Sequence, residues 1–478
     1  MNSSLESLQP ASFWTFFKQI SEIPRCSGKE QAILDYLKRQ ADLLHLSWQQ
    51  DSVGNLRLRK PASPGFEKHP GVILQGHVDM VCEQNEGRGH DFSCDPLQLV
   101  VENGWVHAQQ TTLGADNGVA VAAMLAVLAD SQLVHGPLDC LFTVDEETGL
   151  TGALGLDPSL VNGKVLLNLD SDAPGEFIVG CAGGSTLYAE TVPETETGKG
   201  SWYRVDFRGW HGGHSGVMIH ENRGNPLKTV GRFFNILDGI WQIASLDGGD
   251  KHNAIPREAT LVLGTTQFSS REGLKLLVHK AQELTALLQK ELGEGPRLEV
   301  SEVACPDKVL TAQATLTLVR LLNGLPHGVN GGILPNGVET SNNLASVRVG
   351  ASQIRLVTSQ RSSRVQRRDE LTQQIKAVME LAGLAVKVAE GYPAWSPADK
   401  SPLKELCVQL WPQVSSIPAR VTVIHAGLEC GIIGDKLPGL DMISFGPAIE
   451  EAHTPQERLN CASVEEFWNF LVKLLGAL

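Results

Sequence analysis

The chain has 478 residues, 42% of them hydrophobic and 20% charged, which is ordinary globular make-up and leaves room for about two to four domains. Forty Lys and Arg stand against 54 Asp and Glu, for a net charge of -14. This composition excludes a largely disordered chain or a fibrous repeat, and the acidic excess argues against nucleic acid and anionic membranes, which are bound by clustered Lys and Arg.

The N-terminus, MNSSLESLQP, lacks a basic stretch followed by an apolar core, so no secretory signal is expected. Residues Trp14 to Arg39 read as helix, broken near Pro24. An apolar run opens at Val72–Leu74 and continues to Met80. The stretch VAVAAMLAVLA, 119–129, is apolar on every side and predicts an inner helix rather than an amphipathic one. Leu138–Val144 and Lys164–Leu169 read as buried strands. Alternating strands and helices over about 190 residues indicate an α/β domain.

The character changes after Gly183-Gly184, where 190–201 (ETVPETETGKGS) is polar and turn-rich. There follow strand Tyr203–Arg208, a helix from about Pro226 with Asn225 as cap, strand Ala259–Thr265, helix Leu274–Leu292 and strand Arg297–Val303. A similar run comes next: helix Ala312–Leu322 ended by Gly324, strands near Leu344–Val349 and Gln353–Ser359, helix Leu371–Ala382 and strand Leu384–Ala389. Two α+β halves in tandem would account for this order. After Pro393 the chain resembles its first part again, with strand Met442–Phe445 and a final helix Ser463–Leu475 opened by a capping box of Ser463 and Glu466. The expected organisation is a discontinuous domain of residues 1–188 and 391–478, with residues 189–390 inserted between.

No run approaches the roughly 18 apolar residues that would span a bilayer. Nine cysteines without a C-x-x-C pair are read as reduced thiols, and a cytoplasmic location is expected.

Five short segments carry the chemistry. In QGHVDM, His77 and Asp79 are two apart on a strand and share a face, so Asp79 can accept the spare ring N–H of a ligating imidazole. A satisfied core histidine beside a strand-end Asp would look the same. In LGADNG, Asp116 is either a helix cap or a ligand approached closely between glycines. In DEETG, adjacent carboxylates repel unless cations or protons compensate. Glu146 and Glu147 point to opposite sides of an extended chain, so one can bind a metal while the other faces a bound water; the alternative is a solvated acidic turn. Asp170 in NLDSD ends an apolar strand, where open α/β sheets place ligand sites, and His453 lies in EEAHTP ahead of the last helix. Together these are the donors expected for two divalent ions bridged by one carboxylate. There is no H-E-x-x-H and no G-x-S-x-G, which disfavours a thermolysin-like helix site and a serine triad.

With GHVDMV, TTLGADNGVAVA, DEETGLTGA, LNLDSD, GWHGGHSGVMIHENRGNP, HAGLECG and EEAHTPQERL in this order, the sequence resembles the zinc-dependent aminoacylase, carboxypeptidase and dipeptidase superfamily. Within it, the chain is similar to the bacterial cytosolic aminoacyl-histidine (Xaa-His, carnosinase-like) dipeptidases. The resemblance runs from residue 76 to 459. It implies an α/β/α catalytic domain with a mixed central sheet, interrupted by an inserted α+β lid domain that closes over substrate. It implies two divalent ions per subunit, zinc first, with cobalt or manganese as alternatives. One would be held by His77 and Asp170 and the other by Glu147 and His453, with Asp116 as the bridge. Glu146 would be the general base toward a metal-bridged water, and Asp79 would orient His77.

His214, and as a second candidate His220, would donate to the oxyanion. Asn253 and Arg361 match positions that hold the substrate carboxylate or oxyanion, although Arg361 could equally be a surface strand residue. Glu429 could pair with a free substrate amine or be structural in a tight turn. The expected substrate is a dipeptide, Xaa-His preferred. A homodimer through the lid domain is implied, unless one tandem half imitates the partner in a monomer. The rival readings are an N-acyl amino acid deacylase and a non-catalytic peptide-binding homologue.

Overall fold

The computed structural model describes residues 5–334, 337–389 and 391–478. Residue 390, the expected end of the insertion, lies outside them. The chain divides into two compact units: the first holds Met1–Cys181, Trp395–Val423 and Leu428–Leu478, the second Ala182–Ala394 and Ile424–Gly427.

The first unit is built on an eight-stranded mixed sheet in the order Ser47–Gln50, Leu56–Lys60, Leu138–Thr143, Val72–His77, Val165–Asn168, Asp441–Ser444, Glu176–Cys181, Arg420–Ile424. Leu138–Thr143, Val72–His77, Val165–Asn168 and Asp441–Ser444 run parallel. Their carboxyl ends therefore share one edge of the sheet, where ligand sites gather. Three of these four strands are buried at every residue, and Asp441–Ser444 at all but Asp441, which is why they read as continuous apolar runs.

Helix Ala115–Ala129 is buried along nearly its whole length, as an apolar stretch without an amphipathic face requires. At the far end of the chain Phe445, Phe467 and Phe470 pack with Phe177 and Trp411 in one aromatic cluster. A four-stranded antiparallel sheet, in the order Ile449–Glu450, Arg458–Asn460, Trp105–Ala108, Leu99–Glu102, ties the segment around His453 to the chain that leads into Asp116.

The second unit is built on a nine-stranded antiparallel sheet. Its main path runs Arg297–Val303, Ser201–Arg208, Ala259–Thr265, Gln242–Gly248, Thr340–Val349, Ile354–Ser362, Gly183–Thr191, Ala385–Val388. The strands of the two similar stretches thus join into one sheet where Gln242–Gly248 pairs with Thr340–Val349. Helices Pro226–Asn235, Ser270–Leu292, Ala312–Gly324 and Val365–Leu381 contribute apolar faces to its core.

Two expectations change here. Cys26 and Cys82 are joined by a disulfide, so the nine cysteines are not all free thiols. The last helix starts earlier, at Cys461, and is capped by Asn460, which accepts from Ser463 N–H at 3.0 Å; Glu466 instead accepts from Ser415 Oγ–H at 2.9 Å. Asn460 is as good a cap as Ser463, and it sits where the preceding strand ends.

Candidate metal centre

Strand Val72–His77 ends at a histidine whose ring is 1% exposed. Its Nε2 lies 3.0 Å from Asp116 Oδ1 and 3.7 Å from Asp170 Oδ1. Asp116 turns its other oxygen outward, with Oδ2 3.1 Å from His453 Nε2. His453 Nε2 is also 3.0 Å from Glu147 Oε1. One carboxylate therefore stands between two imidazoles and is shared by two groups of donors, His77, Asp116, Asp170 and Asp116, Glu147, His453, while a further group, His77, Glu146 and Glu147, brings Glu146 to the same centre. In each, the ligand atoms lie within 4.8 Å of one another. The His77 end is closed and the other end open, since the His453 side chain is 49% exposed.

This donor set fits divalent cations. It is all nitrogen and oxygen, and it concentrates negative charge. Among the described residues no Lys or Arg makes an ion pair with Asp116, Glu147 or Asp170; their partners are the two imidazoles. Hydrogen bonds from the His453 ring to the Asp116 and Glu147 carboxylates push His453 up to about 11. Burial acts to lower His77, but Asp170, Asp116 and Asp79 outweigh it and hold the ring well above the ordinary histidine range. Asp116 is driven below the usual carboxylate range against its burial by His453 and His77. Asp170, by contrast, is raised well above it by burial. Glu147 Oε1 is buried and faces the His453 ring at 3.0 Å.

The surroundings hold these side chains in place. Asp79 is buried and lies 3.4 Å from His77 Nδ1. Its two oxygens accept from Glu146 N–H at 3.1 Å and Glu147 N–H at 3.2 Å, and Ser27 Oγ–H donates to Oδ2 at 2.8 Å. Asn117 donates to Asp170 Oδ1 at 2.5 Å and to Leu169 O at 2.9 Å. Asp145 and His453 adopt left-handed φ of 52° and 65°, uncommon away from glycine and frequent where side chains are aimed into a site. Burial raises Glu146 well above the usual carboxylate range; His77 opposes this, and Asp170, Glu429 and Glu147 reinforce it.

Glu429, weighed as a contact to the substrate amine, is fully buried. Its Oε2 accepts from Gln75 Nε2–H at 2.6 Å and Thr143 Oγ–H at 2.7 Å, and Gln75 Oε1 accepts from Asn168 at 2.7 Å. It opens helix Glu429–Lys436 and ties strand Val72–His77 to Leu138–Thr143 and, through Gln75, to Val165–Asn168, the strands that lead to Glu146 and Asp170; Glu146 and Glu147 themselves open a short helix, Glu146–Gly149, and do not lie on an extended chain as expected. Burial pushes Glu429 up to about 7.

The sequence reading also missed two residues. Glu457 accepts from four backbone N–H groups, those of Leu113, Gly114, Ala115 and Asp116, at 2.7–3.3 Å. Arg25 grips the same turn by donating to Gly114 O, and it donates to Val78 O and Asp79 O at 3.0 and 3.2 Å. The Glu457-Arg458 pair in the run after His453 gave the only sequence signal for Glu457.

The remaining site candidates lie in the second unit. His214 is on the short strand Gly213–His214, paired with Ala254–Ile255, and its Nδ1 accepts from Val217 N–H at 3.2 Å. That bond leaves the ring proton on Nε2, so His214 can donate. Asn253 O accepts from Ser215 N–H at 2.8 Å beside it. Arg361 is buried in strand Ile354–Ser362 rather than on a surface. It donates to Tyr392 Oη at 2.7 Å, and its Nε is buried without a partner. His425 Nε2 lies 2.7 Å from Ser341 Oγ. Burial, and then the fields of Arg361, His220 and His214, hold His425 down to about 3. This unit thus gathers His214, His220, Asn253 and Arg361 in one neighbourhood.

The model of Peptidase family M20/M25/M40 matches residues 73–477. Cytosol non-specific dipeptidase of Escherichia coli (strain K12) is 36% identical over 482 aligned residues, covering 99% of each chain. The crystal structure of aminoacylhistidine dipeptidase from Vibrio alginolyticus superposes with a TM-score of 0.87 at 35% identity, over 100% of this chain and 98% of that one. A tripeptidase from Staphylococcus aureus shares the fold at a TM-score of 0.58 and 16% identity, over 98% of both chains.

Proposed function

The chain belongs to peptidase family M20/M25/M40, and on that premise we propose that it is a two-metal dipeptidase of the cytosol, cleaving dipeptides with a free N-terminus and preferring Xaa-His. The observation that carries the mechanism is Asp116, with one oxygen 3.0 Å from His77 and the other 3.1 Å from His453. His77, Asp116 and Asp170 would hold one ion, and Asp116, Glu147 and His453 the other. Two such cations supply Lewis acidity, lowering the pKa of a water and polarising the scissile carbonyl. The N/O donor set suits zinc, and equally cobalt or manganese.

The residues of this chain then have distinct tasks. Glu146 takes a proton from the attacking water and hands it to the departing amine. Asp79 fixes the orientation of the His77 ring and also the backbone of Glu146 and Glu147, so that ligand and base are placed by one carboxylate. His214, with its proton on Nε2, is assigned to the oxyanion. Arg361, buried with a free Nε, is assigned to the substrate carboxylate, and Asn253 and His220 to positions beside them. A homodimer through the second unit completes the reading.

Two measurements test it. Rates on β-alanyl-histidine, other dipeptides and N-acetyl amino acids, taken with metal content, should show dipeptide turnover; hydrolysis of the acetylated compounds alone makes the enzyme a deacylase. Glu146→Ala should lower kcat by about 10²–10⁴ while metal content stays the same. An unchanged rate removes Glu146 as the base.

A further inference from the structure

Cys26 and Cys82 are half-buried, 56 residues apart in sequence, and joined with a Cα–Cα distance of 5.8 Å, within the usual range for a disulfide. Nothing in the hydrolytic reading uses them. Their position is what matters. Cys26 bridges to Met80, and Met80 N–H donates to Arg25 O at 3.1 Å. The residue before Cys26 is Arg25, whose guanidinium donates to Asp79 O and to Gly114 O in the turn that presents Asp116. The residue after it is Ser27, whose hydroxyl donates to Asp79 Oδ2 at 2.8 Å. The bond therefore fastens a three-residue strap that touches both the carboxylate beneath His77 and the turn carrying the bridging ligand. Four other cysteines, Cys140, Cys181, Cys407 and Cys430, are buried and out of a reagent's reach.

Disulfides in a reducing compartment are mostly transient or redox-responsive rather than structural. We propose that Cys26–Cys82 is a reversible thiol–disulfide modification site, opened by a dithiol and closed by a low-molecular-weight disulfide, whose closed form keeps Asp79 in position for catalysis. In opening, a thiolate of the dithiol attacks one cysteine sulfur and the S–S bond breaks. The other cysteine leaves as a thiolate and is protonated by solvent. The dithiol's second thiolate then displaces the first cysteine, so two electrons pass to the protein and the reductant departs as a cyclic disulfide. In closing, a cysteine thiolate attacks the small disulfide and expels one thiolate. The second cysteine resolves the mixed disulfide and releases the other. Opened, the strap is held by hydrogen bonds alone, and Asp79 loses the rigidity of Ser27 and Arg25.

The activity readout rests on the dipeptidase reading; the chemistry of the pair does not. The full chain would be equilibrated in reduced dithiothreitol or in oxidised glutathione and alkylated, and its peptides weighed. The same samples would be assayed for dipeptide hydrolysis and for Mn²⁺ binding, an ion with little taste for thiolates. The pair should be linked without reductant, free after reduction and re-formed on oxidation. Reduction should lower kcat and Mn²⁺ affinity by roughly tenfold, with KM changed by less than about twofold. Cys82→Ser should show the reduced rate under both conditions, which separates the bond from chelation by the reductant. Thiols that label completely without reductant and stay free under oxidation overturn the proposal. So do equal rates and Mn²⁺ affinities in the two states, or a Cys82→Ser variant that responds as the wild type does. If no dipeptide is cleaved in either state while Mn²⁺ affinity still follows the bond, the substrate reading fails and the modification site stands.

Discussion

Glu457 binds no cation in this reading, yet its carboxylate ends four backbone N–H groups, among them that of Asp116. In Glu457→Gln an amide NH₂ would face donors instead of accepting from them. The substitution should cost about 1–3 kcal/mol of stability. It should also lower kcat roughly tenfold with KM changed by less than about twofold, because the loss falls on the placement of Asp116 and not on substrate contacts. Steady-state kinetics and metal titration of the variant check this; lost stability with normal metal affinity would reduce Glu457 to a packing role. Residues of this kind leave little trace in a sequence. His77, Asp116, Glu147 and Asp170 could be picked out because they stand beside glycines or at the ends of apolar runs, and His453 through the resemblance of EEAHTPQERL. A carboxylate that serves only backbone amides has no partner side chain to pair with, and Arg25 acts on carbonyls in the same silent way. Glu429 stays open in the sequence, between a contact to a substrate amine and a structural place in a turn, because only the packing of helix Glu429–Lys436 shows where it points.

At the scale of elements, strand Val72–His77 and helix Ala115–Ala129 approach each other closely at Gly76. A Cβ on Gly76 would lie 2.3 Å from both Ala120 Cβ and Asn117 Oδ1. Gly76→Ala must therefore push the helix or displace Asn117, the residue that holds Asp170. We expect a loss of about 1–3 kcal/mol from overpacking, seen as a lowered thermal midpoint, together with weaker metal retention; a variant of unchanged stability and metal content would show that the contact yields freely. Elements with strong patterns were readable to the residue, such as Ala259–Thr265 and Arg297–Val303. Boundaries slipped where polar caps decide them. Helix Ser270–Leu292 begins four residues before the expected Leu274, because Ser269 and Glu272 form a capping box that the apolar spacing does not register. Strand Thr340–Val349 runs further than its apolar part, since Ser341, Asn342 and Asn343 are polar yet buried.

At the scale of the whole molecule, acid should act on the second unit through His425. Its ordinary pKa near 6.5 falls to about 3 in the fold. The unfolded chain therefore takes up a proton below pH 6.5 that the folded chain refuses. The associated stability is complete above 6.5 and is lost as pH falls toward 3, at about 1.4 kcal/mol per unit. Between pH 7 and pH 5 this amounts to about 2 kcal/mol. Hydrogen exchange in strand Thr340–Val349, which carries Ser341, should accelerate over that interval in the wild type and much less in His425→Gln. Parallel profiles would dismiss the histidine as the cause.

The order of strands in the first unit has a consequence for how the enzyme is made. Asp441–Ser444 sits between Val165–Asn168 and Glu176–Cys181. The ribosome thus delivers the entire stretch 182–394 while a gap persists in the sheet it interrupts, and His453 arrives only with the last few dozen residues. Domains tend to fold as they emerge, so the nascent polypeptide carries an unfinished, apolar-edged sheet through most of its synthesis. A message cut short before His453 would yield protein with a complete second unit and, on the proposed assignment, a centre one ligand short.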